Sequence, residues 1–516
     1  MEQNSKSISK IMSKIALLLS LIVCTSCMKI DKVDQVFHNG LILSFSEGVL
    51  PSEASAVLNG KIVEVGPERQ IMNKYGADEY VDLMRQVVMP GFHDAHNHFL
   101  AISKKRARVV QASENLQATV QELGLDNSVT TVYVINWKSE WAVPEDFSNQ
   151  LEIGLRGPDG SSITISPTLH SAVFGSTTDS WKKLSSDSMQ FVLKYFENAD
   201  EGQQTKHLLE LFRKANALGY VGVHLFNASI ADVNIMKELE ANRELNLRVN
   251  LVLAGNDNNW GWLNQTGGYV SNLVRVKSMS YYLDGGLESR SASLLLPYSD
   301  STNYSGPGVL IPDELQRRAG LFKNMGFQMV FHAIGDSAAK VATHFMGSIL
   351  QGVNDSRWRI EHLQMIGDKE MELVRKHSII PSVQPNNFLF DQVFLINRIG
   401  EREAASYAWN SLLELNKTLA IGSSYPIGPL DPFQNLRALS EKAEQRNLSR
   451  KKALLSMSLH GALAAFQDSI SGSLDSGKYA DFVVLNQNPL TAKPDEFSKI
   501  KISKTYLGGR LVHNTN

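Results

Sequence analysis

Apolar positions come in short, closely spaced runs at both ends of the chain and in alternation with amphipathic stretches between them. Residues 34–88 read as short β segments: Gln35–Phe37, Leu41–Leu43, Ala56–Leu58 and Lys61–Val65. Asn59-Gly60 separates the last two, and an Asn-Gly pair between apolar runs predicts a tight hairpin. The tail has the same character, with Phe482–Leu485, Lys504–Leu507, Gly508-Gly509 and Arg510–Val512. Two strand-rich ends around a long middle predict that the termini meet in one small β domain.

The middle offers strand candidates at Val87–Met89, Gly222–Leu225, Gln328–Phe331, Ile379–Val383 and Thr418–Ile421. Between them lie amphipathic runs at Leu208–Ala217, Glu314–Asn324 and Lys369–Lys376. Strands alternating with helices predict a parallel α/β architecture, and the length suits a closed barrel with insertions. At 516 residues the chain exceeds one compact core. The expected division is a β-sandwich from 28–88 and 466–516, and a barrel over 89–465 carrying an inserted subdomain at about 100–215.

The first 27 residues follow another rule. Lys6, Lys10 and Lys14 precede the apolar run Ile15–Val23, which is too short to span a bilayer. A positive segment followed by a short apolar one is the pattern of an export signal. The run ends at Cys24-Thr25-Ser26-Cys27 and resembles the bacterial lipobox, with Cys24 where Leu is typical. That resemblance implies lipidation at Cys27 and a membrane-anchored lipoprotein of the bacterial cell envelope. A plain cleaved signal and a buried apolar helix are the alternatives. Both cysteines lie in this segment, so any metal falls to His, Asp, Glu or a modified Lys.

A net charge of -2 with scattered Lys and Arg gives no basic patch for nucleic acid and no polybasic membrane surface. The expected partner is a small molecule, with membrane contact only through the lipid anchor.

The sharpest chemical feature is Pro90-Gly91-Phe92-His93-Asp94-Ala95-His96-Asn97-His98. Residues two apart on a strand point the same way, so Asp94, His96 and His98 are expected on one face. Two imidazoles on one face suit a divalent ion. His332 and His362 also end apolar runs, Val330-Phe331-His332 and Arg359-Ile360-Glu361-His362. Barrel active sites sit at the C-terminal ends of the strands, where these four histidines can converge. Taken singly, His332 and His362 read first as satisfied polar core residues, and the His96/His98 pair has solvent-facing loop histidines as its alternative. The remaining histidines, including His170 and His224, read as structural or surface residues.

With these segments in view, the chain resembles the amidohydrolase superfamily, in the branch called amidohydrolase family 3, which includes a formamide deformylase. The resemblance also rests on Asp284–Arg290, Pro297–Asp300, Ser382–Pro385, Ile421–Pro426 and Gly472–Asp481. It implies a distorted TIM (β/α)8 barrel plus a β-sandwich built from both ends. It further implies hydrolysis of a non-peptide carbon–nitrogen bond by metal-activated water, with His96, His98, His332 and His362 as ligands. Asp94 then stands behind the ligands, and Arg290 is a candidate substrate contact.

Two positions depart from the family pattern. Ser424 stands where the family has a proton-shuttling aspartate, and Ser280 where it has a lysine that can be carboxylated to bridge two metals. Lys277 is three residues earlier, with the opposite strand parity. A serine hydroxyl is neutral, a poor ligand and no base without activation. One zinc on histidines is therefore the expected cofactor. His362, Glu361 and Asp94 are the remaining candidate bases. Two readings stay open: a hydrolase impaired by these replacements, and a binding lipoprotein that keeps the fold without turnover.

Overall fold

The computed structural model describes residues 31–46, 48–104, 107–111, 131–135, 152–156, 162–165, 199–440 and 445–515. Residues 1–27, read as an export signal, and His170 lie outside the described residues. Among the described residues no helix is long and apolar enough to cross a membrane.

Eight parallel strands form the central sheet: β1 (Phe92–Asn97), β2 (Tyr220–Ala228), β3 (Arg248–Ala254), β4 (Val274–Tyr282), β5 (Gln328–Ala333), β6 (Arg359–His362), β7 (Ile380–Val383) and β8 (Ala420–Ile421). Each pairs in parallel with its neighbour in chain order. The ring closes through two backbone bonds beyond the end of β8. Ser424 N–H donates to His96 O, and His98 N–H to Tyr425 O, each at 2.8 Å. The expected (β/α)8 barrel is thus present.

Its crossover helices match the amphipathic runs, at Glu201–Ala217, Asp313–Asn324 and Asp368–Lys376. The first begins at Asp200, whose side chain accepts from Gln203 N while the Gln203 side chain accepts from Asp200 N. That reciprocal cap fixes where the helix starts. Leu208 and Phe212 on its inner face join the barrel core, so this helix belongs to the barrel although the expected insertion took in most of it. The insertion contributes a separate sheet in the order 162–165, 152–156, 131–135, 107–111.

Both termini build the remaining layers. One sheet runs Lys61–Gly66, Ala54–Leu58, Asp31–His38, Tyr75–Asp82. Asn59 and Gly60 turn its hairpin with φ of 52° and 72°, the left-handed pair that a two-residue turn demands. The second sheet runs Leu41–Ile42, Val87–Pro90, Phe482–Leu485, Ile502–Leu507, Arg510–Asn514. Phe37 of the first sheet meets Phe482 and Tyr506 of the second edge-on, at 4.9 and 5.1 Å between ring centres. Val87–Met89, read with the barrel strands, belongs here instead. It pairs antiparallel with Phe482–Leu485, and the chain reaches β1 only after Pro90-Gly91.

Barrel and sandwich are joined by a buried ion pair. Arg248, at the start of β3, reaches Asp481 with Nη2 to Oδ1 at 3.0 Å, and Gly508 N–H donates to the same oxygen at 2.8 Å.

Candidate metal centre

The four histidines come together at the C-terminal ends of β1, β5 and β6. Ring centres are 5.1 Å apart for His96 and His98, 5.0 Å for His96 and His362, and 4.3 Å for His332 and His362. His96 projects from β1, while His98 begins the short helix that follows. His332 ends an apolar strand with its side chain 15% exposed, open to the mouth.

His362 is delivered differently. Alternation along β6 places Arg359 and Glu361 on one face, where both are fully buried inside the barrel. Regular geometry would send the next residue outward. Instead His362 takes φ of 76°, which brings its ring against His332. A left-handed non-glycine residue costs about 1–2 kcal/mol, so the fold holds this imidazole inward against local preference. Asn227 (57°), within β2, and Arg290 (57°) and Ser424 (56°), beyond β4 and β8, share that conformation.

Burial favours the neutral form of His96, His98 and His362. It pushes His98 down to about 3, aided by His96 and His332. His362 lies well below its ordinary value for the same reason, with the other three imidazoles adding to it. His96 is also lowered by burial, although Glu361 opposes the shift. Neutral imidazole is the form that binds a metal.

Three buried ring nitrogens in the cluster have no hydrogen-bond partner: His96 Nε2, His332 Nδ1 and His362 Nδ1. A buried unsatisfied nitrogen costs about 1–3 kcal/mol, so His96 Nε2 and His362 Nδ1 fit a transition-metal cation as the missing partner, while His332 Nδ1 lies on the Asp284 side of its ring. The rings do not stand as a finished shell. Among the described residues no three such groups surround one point at coordination distance, and holding an ion requires the rings to turn.

Behind the cluster, Glu361 Oε2 lies 2.9 Å from His96 Nδ1 and accepts from Ser382 Oγ at 2.8 Å and Gln384 Nε2 at 3.0 Å. Its other oxygen faces Arg359 Nε at 3.0 Å. Burial raises Glu361, but Arg359 and His96 outweigh it and leave the carboxyl below its usual range. Arg359 also meets His224 Nδ1 at 2.9 Å, so His224 belongs to the polar interior beneath the site.

Asp94, expected behind the ligands, is engaged by backbone and side-chain donors around it. Its carboxylate accepts from Ser423 N and Ser423 Oγ, both at 2.7 Å, and from His96 N and Asn97 Nδ2, both at 3.3 Å. It clamps the turn after β8 to β1. Burial drives it up to about 6 despite the Ser423 bonds. Asp284 plays a similar part behind His332. It accepts from Ser293, Ile334 and Gly335 N–H at 2.8–3.0 Å, with Oδ1 3.7 Å from His332 Nδ1.

Ser280 lies in β4 in register with Ala254 and Val330, and its hydroxyl only grazes Leu253 O at 3.4 Å. Lys277 stands toward the other end of the strand, its Nζ 5.9 Å from the centre of the Phe327 ring. Ser424 is fully buried, and its Oγ has no hydrogen-bond partner. Arg290 is committed elsewhere. Two of its nitrogens bind Asp300 at 3.0 and 2.9 Å, and Asp300 also binds Arg398.

Two residues were not singled out from the sequence. Phe226 on β2 tilts against His96 at 4.1 Å, and Tyr282 at the end of β4 lies against His332 at 4.8 Å. Neither has a sequence signal, because each contact follows from cross-strand register.

Residues 79–513 match the amidohydrolase family, in the group numbered 3. The chain is 22% identical to the Bacillus subtilis (strain 168) protein YtcJ, over 93% of this chain and 99% of that one. It is 20% identical to the N-substituted formamide deformylase of Arthrobacter pascens, over 89% of this chain and 94% of that enzyme. A stretch of 265 residues is 31% identical to LONG AFTER FAR-RED 3 of Arabidopsis thaliana, spanning 48% of this chain and 45% of that protein. Among solved structures, a metal-dependent hydrolase from Pyrococcus furiosus superposes with a TM-score of 0.70 at 20% identity, covering 89% of this chain and all of that one. A zinc-bound adenosine deaminase from Xanthomonas campestris gives 0.56 at 14% identity, over 93% of both chains. These likenesses establish a shared fold.

Proposed function

The chain belongs to the amidohydrolase family, and from that premise we propose that it hydrolyses a carbon–nitrogen bond of a small, non-peptide amide at the histidine cluster. Proteins of this family are hydrolases acting on amide and related bonds, and a relative over most of the chain is a formamide deformylase. The observation that carries the proposal is the convergence of His96, His98, His332 and His362, with three orphaned nitrogens among them.

These four imidazoles would hold one divalent cation, with zinc the best match to all-nitrogen donors. When bound, such an ion supplies a water of lowered pKa and polarises the amide carbonyl. The chain does the rest. Glu361 accepts from His96 Nδ1 and so leaves Nε2 facing the site as a lone pair. Asp94, through Ser423, holds the turn that carries Ser424 against β1. Ser424 and Ser280 remove the two negative groups that would shuttle a proton and bridge a second metal, so turnover is slow and the site mononuclear.

A second reading is favoured by the same serines. With both carboxylate candidates engaged, Glu361 by Arg359 and His96 and Asp94 by Ser423, neither is free to replace the aspartate. The chain would then bind its ligand without turnover.

Metal content and a turnover screen decide between them. We expect about one transition metal per chain, lost when His96 and His98 are both replaced by Ala. Metal-loaded protein should hydrolyse some member of a panel of amides, lactones and N-acyl amino acids. Full metal retention in the double variant would remove the site, and two tightly bound ions would show that Ser280 leaves the bridging position intact.

A further inference from the structure

Resting on the amidase reading of this site, we propose that Tyr282 is a specificity-determining residue, the wall on which a flat aromatic substituent of the substrate stacks. Tyr282 and His332 are cross-strand partners in the parallel β4–β5 pair. Their rings lie 4.8 Å apart with 32° between planes, so one face of the tyrosine is taken by an imidazole of the cluster. The residue is nevertheless 46% exposed, although it sits at a barrel mouth beside buried neighbours. An aromatic ring beside the reacting centre with accessible surface is a stacking surface in need of a partner.

The ring is also fixed in place. Asn227 Nδ2 donates to its hydroxyl at 2.8 Å. Asn227 is aimed there by an irregularity in β2, where the register shifts between Leu225 and Ala228 and Asn227 takes φ of 57°. Strain at a strand end is retained where a side chain must be held in one direction. Anchoring the hydroxyl stops the ring from swinging over the histidines and lowers the ordering cost of stacking.

The surroundings select against a charged substituent. Arg290 and Asp300 in the loop after β4 are paired with each other and with Arg398, in the last turn of the helix Pro385–Ile399, and Asp284 is occupied by three backbone N–H groups. The loop continuing from Tyr282 carries Leu295 and Leu296, 53% and 62% exposed. Deeper in the barrel Phe226 repeats the motif against His96 and is only 3% exposed, which marks a closed floor beneath an open wall.

The test compares two amides of similar apolar size, one flat and one puckered: N-phenylacetamide and N-cyclohexylacetamide. Their affinities are measured by ligand-observed NMR on wild-type, Tyr282→Phe and Tyr282→Ala protein, with metal content read on the same samples. Aromatic pairing beyond area burial corresponds to about two- to twelvefold in affinity. We expect wild type and Tyr282→Phe to favour the phenyl compound by at least about threefold, and Tyr282→Ala to lose that preference while keeping its metal. Equal affinity of wild type for the two amides, or an undiminished preference in Tyr282→Ala, would overturn the assignment. Loss of metal from wild type would count against the hydrolase reading alone, because stacking is measured without turnover.

Discussion

His96 Nδ1 lies 2.9 Å from Glu361 Oε2, and this contact ties the first strand of the barrel to the sixth through the site itself. Glu361 is held from its other side by Arg359 at 3.0 Å. The imidazole is thereby oriented with Nε2 toward the cluster. Carboxylates in this position typically contribute 10–100-fold to metal affinity. Glu361→Gln keeps an acceptor for Nδ1 but removes the charge, and should weaken zinc binding by about that factor in a chelator competition. It also strands Arg359 as an unpaired buried cation, a loss of about 3–5 kcal/mol. Adding Arg359→Met should recover thermal stability and leave zinc affinity low. Recovery of both together would assign the whole effect to folding.

A second buried histidine gives a pH prediction. His93 Nε2 is 3.0 Å from Ser471 Oγ, and that hydroxyl donates to Asp481 Oδ2 at 2.7 Å. Nε2 must therefore carry the proton, which leaves Nδ1 bare and without a partner. Gly222 makes room for it, since a Cβ there would stand 2.2 Å from Nδ1. Burial lowers His93 to about 4 from an ordinary 6.5. A lowered folded value means that its stability contribution is present above pH 6.5 and is lost as pH falls toward 4. At pH 5 the loss is about 2 kcal/mol from this residue. His98 and His460, pushed down by burial to about 3 and about 4, add to the wild-type slope. In thermal unfolding compared at pH 7.5 and pH 5, His93→Gln should narrow the gap between the two midpoints without closing it. An unchanged gap would mean that His93 is already charged in the folded state.

The amphipathic runs at 313–324 and 368–376 are legible because helical periodicity survives in a single sequence, and their ends fall within a residue of expectation. His332 and His362 are legible because each ends a strand-like run, and His96 and His98 because they stand two apart after an apolar strand and a Pro-Gly turn. Strands β3 and β4 are not singled out, and Val87–Met89 reads as a barrel strand, because an apolar run does not state which sheet it joins. The partner of Asp94 is illegible for a related reason. Alternation gives the face of the strand, but Ser423 arrives from β8, more than three hundred residues later, and takes the carboxylate. Arg359, Phe226 and Tyr282 earn their places from register and from a bulge, which local pattern does not encode.

The lysine-flanked apolar run and Cys27 carry a proposal about location. Mass spectrometry of protein taken from its native envelope should find the chain beginning at Cys27 with a diacylglycerol attached. An unmodified protein retaining residues 1–26 would end that reading and leave the hydrolase reading untouched.

Ser424 offers the most direct test of whether the site is impaired. Its Oγ is buried without a partner, its N–H is fixed to His96 O, and its φ of 56° is one that Asp adopts more readily than most residues. Ser424→Asp therefore asks little of the backbone and introduces a carboxylate beside the histidine cluster. A buried carboxylate without a counter-charge is costly, so the metal-free variant should melt below wild type. Zinc should then raise its melting temperature by more than it raises that of wild type. With zinc present, a positioned base typically contributes 10²–10⁴-fold, so hydrolysis of whichever amide wild type turns over should rise at least about tenfold. The variant should also gain an acidic limb in its rate–pH profile that wild type lacks. The opposite result is equally informative. A wild-type kcat near the ~10 s⁻¹ common among enzymes, falling in Ser424→Asp, would mean that another group moves the proton and that the hydroxyl belongs to a working site.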